Sequence, residues 1–166
     1  MSLDLYVRSD EPIKVSGTGI YIRENGQTRE LKTIEEARKY FPDRHITERK
    51  YITTDVWHGN ITHNLGRMAD RVISEKGRSL YQLLWHPKEK YVTKDWISEV
   101  RDCYDKLQSK KDFYKPMEEE NRVAENNGDS YIWGTYDNLM SFTKSLLDCV
   151  ENLNFKDKHY DLIASV

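Results

Sequence analysis

Side chains suited to chemistry are concentrated in residues 57–65, which carry two histidines, two asparagines and a threonine. We expect Thr62 to be the N-cap of a helix, which would place His63 and Asn64 in the first turn. At such a helix start, unpaired backbone N–H groups and the helix dipole favour an anion. The alternative interpretation is that Thr62 only caps the helix, while His63 and Asn64 hold the preceding loop by hydrogen bonds.

A second predicted helix start repeats this arrangement. Trp133 and Gly134 precede Thr135, another predicted N-cap, and Tyr136 follows in the first turn. If the two starts converge, one ligand that carries both a negative charge and a flat ring, such as a nucleotide, could bind between them. The alternative is that Trp133 fills the core and Tyr136 covers it.

A further aromatic side chain belongs to the turn at residues 83–87. Trp85 lies there next to His86, although Pro87 is equally typical of a plain helix end. Together with the two helix starts, this turn completes the set of candidate ligand-binding residues. That set is Thr62, His63, Asn64, Trp85, Trp133, Thr135 and Tyr136.

Catalytic and metal sites have weaker support in the sequence. His58 and His63 lie five residues apart and Asp55 precedes them, but no third ligand has an informative spacing, so we expect no metal site. No Gly-x-Ser-x-Gly nucleophile elbow occurs. We therefore assign no catalytic residue and no cofactor, and expect a binding protein more than an enzyme. A small hydrolase or transferase with His63 as general base stays open as a third hypothesis.

Composition narrows the class of protein. A chain of 166 residues fits one domain with one core. The net charge of -2, from 26 basic and 28 acidic residues, provides no overall attraction for a polyanion, so general nucleic-acid binding is not expected. The chain has no apolar run of membrane-spanning length and no signal-peptide pattern in residues 1–8, which predicts a cytoplasmic protein without a membrane partner. Cys103 and Cys149 are expected to be reduced core residues.

The expected framework for these residues is an α+β domain. Alternating apolar residues at positions 3–7 predict a strand with one buried face. Asn25 and Gly26, between two short apolar runs, predict a β-hairpin with a type I′ turn. A further strand is expected at about 50–57, and a closing strand at 159–166 is expected to join the N-terminal sheet.

The rest of the chain is predicted to be mainly helical, so that a small antiparallel sheet packs against about three to four helices. Residues 109–130, with their acidic run, are expected to form a mobile loop. The whole chain, residues 1–166, would be a single domain with an N-terminal hairpin-helix insertion at about 10–50. Helices are predicted from Thr33 to Phe41, from Thr62 to Gly77, and onward from Thr93 and Thr135.

Three blocks of sequence resemble a family of small phage and prophage proteins. The blocks are N-I-T-H-N-L-x-x-M-A at residues 60–69, L-W-x-P at 84–87 and W-G-T-Y at 133–136, within a match over roughly residues 55–166. The family has no settled biochemical function, and this chain departs from it by the 10–50 insertion and the acidic loop. The resemblance implies a phage setting and marks as signature positions His63, Asn64, Trp85, Trp133 and Tyr136.

Two main hypotheses follow. The first is a non-enzymatic phage accessory protein in the host cytosol, which binds a phosphate-bearing or nucleotide-like ligand between the two helix starts and antagonises host defence signalling. The alternative is a protein-binding module without a small ligand, whose edge strands, hairpin tip and acidic loop contact a host or phage protein. A free sheet edge would also permit a homodimer.

Overall fold

The structure is a computed structural model that describes residues 2–125 and 132–166. It confirms the expected α+β fold with a small antiparallel sheet. The strands are β1 (Ser2–Gly17), β2 (Tyr21–Glu24), β3 (Gln27–Glu30), β4 (Arg49–Thr62) and β5 (Tyr160–Ser165). The helices are α1 (Ile34–Tyr40), α2 (Leu65–Asp70), α3 (Leu80–Trp85), α4 (Lys94–Ser109), α5 (Lys111–Tyr114), α6 (Glu118–Glu125) and α7 (Tyr136–Val150), with a 3-10 turn at Lys115–Met117.

The main sheet has the order β4-β1-β5, with both pairings antiparallel. Leu3, Leu5 and Val7 are buried on its inner face, as their alternation predicts. The predicted closing strand is confirmed as β5, which pairs with β1. A register shift near Arg8 interrupts the pairing of β1 with β4, and beyond it the two strands continue as a two-stranded ribbon that ends at Gly17.

At the end of this ribbon, β2 and β3 form the predicted hairpin. Asn25 and Gly26 have φ angles of 53° and 73°, the positive values that a type I′ turn requires. The predicted cap Thr33 accepts a hydrogen bond from the backbone N–H of Glu36, and α1 ends before Phe41 as expected. We call residues 18–48 the hairpin unit. It has a small core of its own, formed by Ile20, Leu31, Ala37 and Ile46.

The helix predicted from Thr62 to Gly77 is wrong at its start and in its length. Thr62 is the last residue of β4, where it pairs with Ser2, and α2 covers only Leu65–Asp70. Asn64, at the N-cap position of α2, makes no side-chain capping bond. Pairing with β1 extends β4 to residue 62, since strand ladder bonds satisfy backbone groups that a helix start would leave open.

The acidic segment also differs from its prediction. Residues 111–125 lie in α5, the 3-10 turn and α6, where the sequence predicts a loop, and residues 126–131 lie outside the described part of the chain. Asn121 is buried, and its amide nitrogen donates to the carbonyl oxygen of Gly134 at 2.8 Å. Contacts with the start of α7 therefore stabilise α6. These contacts are between residues distant in sequence, so the local sequence does not predict them.

The other two predicted helix starts are confirmed. Thr93 caps α4, and Thr135 caps α7 by accepting from the backbone N–H of Asn138 at 3.1 Å. The two helices pack together, and α7 also packs against β4, around a core that includes Trp96 and Phe142. Both cysteines are free. Within the described residues, no helix is long and apolar enough to cross a membrane.

Candidate functional site

Backbone N–H groups at the start of α7 donate to carboxylates that belong to the protein itself. The backbone N–H groups of Trp133 and Gly134 each donate to the carboxylate of Glu125 at 2.8 Å. The N–H of Tyr136 donates to Glu118 at 2.9 Å. Both carboxylates come from α6, the segment predicted to be a loop, so α6 supplies the negative charge that the helix start favours.

The two segments proposed to converge do approach each other. The side-chain amide of Asn64 donates to the same carboxylate of Glu125 at 3.4 Å, which links residue 64 to Gly134 through one side chain. His63, beside it, is exposed. Between the two segments lies the carboxylate of Glu125, and a further anion at this place would meet like charge.

Trp85 and Tyr136 are core residues. Trp85 packs between the rings of Tyr81 and Phe142, with centroid distances of 5.7 and 5.6 Å. The hydroxyl of Tyr136 donates to the backbone oxygen of Leu107 at 2.6 Å, and burial raises the pKa of this phenol. The buried hydroxyl of Tyr136 agrees with the alternative interpretation, in which Tyr136 covers the core. The ring contacts of Trp85 place it in the core as well, and not at either helix start.

Trp133 instead holds the tip of the hairpin. The guanidinium of Arg23 lies 4.0 Å from the centroid of the Trp133 ring, a cation–π contact. A methyl group on Gly26 would lie 2.6 Å from the side-chain amide of Asn138, so the turn sits directly on the first turn of α7. That amide also donates to the carbonyl oxygen of Trp133 at 2.7 Å. The β2–β3 tip is therefore docked on the start of α7.

The base of the hairpin is fixed to β4. The hydroxyl of Tyr51 donates to Glu30 at 2.8 Å, and the ammonium of Lys32 donates to the same hydroxyl at 2.8 Å. Burial alone would raise the pKa of Glu30, but the hydrogen bonds from Tyr51, the Gly19 N–H and Lys32 lower it. The hairpin is thus held at both ends, at Tyr51 and at the start of α7.

Between the hairpin and β4 lies a groove of about 540 Å³, which we call the hairpin groove. One wall is formed by residues 28–30 of β3 and by Tyr21, and the other by Tyr51, Thr53 and residues 55–58 of β4. Tyr21 is 61% exposed at the rim, while Tyr51 and Trp57 are half-buried in the wall. Among the described residues, no backbone hydrogen bond joins β3 to β4 across it.

The charged side chains of the groove are paired within the chain. Arg29 donates to Glu24 at 2.7 Å and to Glu36 at 2.5 Å, and these carboxylates raise the pKa of the guanidinium. Asp55 accepts from Arg8 at 2.5 Å. The groove therefore presents aromatic surface and neutralised charge, with no cation among these pairs left over for a phosphate.

Next to the groove, the outer face of the sheet carries an ordered cluster. The rings of Tyr6 and His58 are stacked at 4.2 Å with an interplanar angle of 2°, and the guanidinium of Arg8 lies 4.6 Å from the centroid of Tyr6. Asp4 accepts from His58 at 3.0 Å and from Asn60 at 2.8 Å. Burial alone would raise the pKa of Asp4, but the bonds from Asn60, His58 and Ser2 lower it.

Sequence reasoning missed the β1 members of this cluster. Asp4, Tyr6 and Arg8 occupy the positions between the buried residues of β1, and that alternation was the available signal for an outward-facing set. The contacts of Asp4 and Tyr6 with His58 depend on strand register, which the local sequence leaves open. As for metals, no group of three or more His, Cys, Asp or Glu side chains in residues 2–125 and 132–166 has the geometry to hold an ion.

In comparisons with known proteins, no family model, curated protein or solved structure matches the chain. The resemblance to phage proteins therefore remains a prediction from three short sequence blocks.

Proposed function

We propose that this protein is a non-enzymatic protein-binding module and that the hairpin groove is its recognition surface. A partner would insert an apolar or aromatic anchor side chain against Tyr21, Tyr51 and Trp57. Anchors of this kind carry most of the binding free energy in protein interfaces. In the phage setting that the sequence blocks suggest, the partner would be a host protein.

The observation that carries this proposal is the charge pairing of the groove. A phosphate-bearing ligand would have to compete with Glu24 and Glu36 for Arg29, which costs two charge-assisted hydrogen bonds. An apolar side chain would leave those pairs intact and remove aromatic surface from water. The groove is therefore better matched to a protein side chain than to a nucleotide.

The way the hairpin is held supports the same function. A docking surface loses less free energy on binding when it is already ordered. The two anchors of the hairpin, at Tyr51 and at the start of α7, order the groove in the absence of any partner. Both anchors join the hairpin unit to β4 and α7, so the groove exists only in the folded protein.

A displayed library of random short peptides tests this proposal. We expect retained peptides to share an aromatic or large aliphatic residue, and to lose at least about tenfold in affinity when Thr28→Trp fills the groove. Thr54→Trp is the matched control, because Thr54 is exposed on β4 outside the groove. Thermal melts verify that both variants fold. Equal binding by the two variants, or no enriched peptide at all, excludes the groove as the recognition surface.

The nucleotide-like ligand is the second candidate, favoured by the three N–H groups at the start of α7 that bind carboxylates. It requires the Glu125 carboxylate to leave. We would then expect Glu125→Ala to bind nucleotides or cyclic dinucleotides more tightly than the wild type in calorimetry, with Glu119→Ala, at an exposed position of α6, as the control. Unchanged heats in Glu125→Ala exclude this candidate.

A further inference from the structure

A second depression, away from the hairpin groove, lies between the end of α3 and the outer edge of β5. We call it the β5 notch; its volume is about 480 Å³. Trp85, His86 and Pro87 form one wall, and residues 162–164 of β5 form the other. It differs from the hairpin groove in having a strand edge for a wall.

The outer edge of β5 is only partly covered. The chain at Lys90 and Val92 runs along it: the N–H of Val92 donates to Tyr160, and the N–H of Leu162 donates to Lys90, both at 2.9 Å. Outward backbone groups alternate along a strand, so after Tyr160 and Leu162 the next residue facing this edge is Ala164. In the described part of the chain, no hydrogen bond joins Ala164 to residues 85–90. Among residues 2–125 and 132–166, the backbone of Ala164 therefore has no hydrogen-bond partner on this edge.

Trp85, which lines the opposite wall, carries a buried donor without an acceptor. Trp85 is 2% exposed, and its indole N–H has no hydrogen-bond partner among the described residues. Two other indoles of the protein have one: Trp96 donates to the Leu83 carbonyl at 2.8 Å, and Trp57 donates to Ser145 at 3.0 Å. Buried donors are almost always satisfied, because leaving one unpaired costs free energy.

We propose that the β5 notch binds an extended peptide segment, which lies along β5 beyond Leu162. One peptide carbonyl accepts from the N–H of Ala164, and another accepts from the indole N–H of Trp85. Pro87 has no N–H to pair with the strand, so the protein's own chain does not continue along this edge. The peptide thus lies along the edge of β5 at Ala164, as residues 90–92 lie along the same edge at Tyr160 and Leu162.

The charges around the notch favour an uncharged backbone over a free carboxylate. Lys90 and Asp161 both line it and carry opposite charges. Glu89, also in the lining, is paired with Arg78 at 2.7 Å. With the charges balanced, the notch offers the open backbone edge of a strand, and another extended backbone is its natural partner.

Nuclear magnetic resonance of the nitrogen-15-labelled protein tests this directly, with the capped dipeptide N-acetyl-valyl-valine methylamide as the probe. Loss of one indole signal in Trp85→Phe assigns the Trp85 N–H, and triple-resonance spectra assign it independently if that variant folds poorly. We expect millimolar probe to shift the Trp85 indole and the Ala164 amide signals along one common titration curve. Acetate is titrated in parallel as the free-carboxylate arm.

Two variants complete the test. Ala164→Trp fills the notch and is expected to abolish both shifts, whereas Ser165→Trp, on the exposed neighbouring residue that faces away, is expected to keep them. Thr28→Trp is also expected to keep them, which separates this site from the hairpin groove. The proposal is overturned if the Trp85 indole does not respond to the dipeptide, if acetate alone reproduces the shifts, or if Ala164→Trp leaves them intact.

Discussion

The body of the molecule and the hairpin unit are stabilised in different ways. The body, formed by the main sheet and α2 to α7, has a continuous core shared by the strands and both long helices. The hairpin unit has four buried apolar residues and depends on a turn, a helix cap and ion pairs for the rest. A segment so small does not usually fold alone. The position of the hairpin unit therefore depends on its two anchors, at Tyr51 and at the start of α7. These anchors hold the proposed binding surface in place.

The largest effect should come from the body core. Phe142→Ala removes a fully buried ring that contacts Trp57 and Trp85, and we expect it to lower the free energy of unfolding by about 3–5 kcal/mol. Urea denaturation measures this. Phe113→Ala, at an exposed ring, should change stability by less than about 0.5 kcal/mol. Similar losses in the two variants would contradict the description of the core.

The body also has a buried ion group. Arg78 pairs with Glu89 and with Glu99, whose side chain is only 7% exposed. Arg78→Ala would leave Glu99 buried without its cation, at a cost of about 3 kcal/mol. Chemical denaturation of Arg122→Ala, which breaks an exposed pair with Glu119, should show a loss of less than about 0.5 kcal/mol. Equal losses would mean that the Arg78 group is no better shielded than the surface pair.

This ion group should make the stability of the fold fall at acidic pH. Hydrogen bonds from Arg78 lower the pKa of Glu89 and of Glu99 below the ordinary value of 4.5. Their stabilisation is therefore fully present above pH 4.5 and is lost as the pH falls through the lower folded-state pKa values. Melting temperatures recorded from pH 7 downward should fall less steeply in Arg78→Ala than in the wild type. Parallel curves would exclude this group as the source of acid sensitivity.

A cavity in the hairpin unit should act locally. Leu31→Ala opens its four-residue core and should cost about 2–3 kcal/mol there, enough to unfold the unit while the body stays folded. Hydrogen exchange should then lose protection in residues 18–48 and keep it in α4 and α7. If protection disappears everywhere at once, the unit and the body are one cooperative unit, and the contrast drawn between them fails.

The smallest effect concerns the docked tip. Gly26→Ala places a methyl group against Asn138 at a positive φ, whereas Gly77→Ala meets the same backbone strain with nothing within 4 Å. The strain alone costs about 1 kcal/mol in each. We expect only Gly26→Ala also to weaken the Arg23–Trp133 contact, seen as a change in Trp133 fluorescence. Identical spectra for both variants would mean that the tip is not seated on α7.

The sequence by itself determined the features that depend on neighbouring residues. The alternation at Leu3, Leu5 and Val7, the Asn25-Gly26 turn, and the caps at Thr33, Thr93 and Thr135 are all found where they were predicted. Each follows from backbone preferences or side-chain bonds that act over a few positions, so each can be read from a short window.

Only the tertiary structure decided how these elements meet. Asn64 reaches Glu125 across 61 positions, and His58 reaches Asp4 across 54. The extension of β4 to Thr62 likewise depends on β1 lying beside it. A helix start binds a carboxylate equally well from a ligand or from its own chain, and local sequence contains no information on which one is near. The packing of α6 against α7 is what places Glu118 and Glu125 at the start of α7.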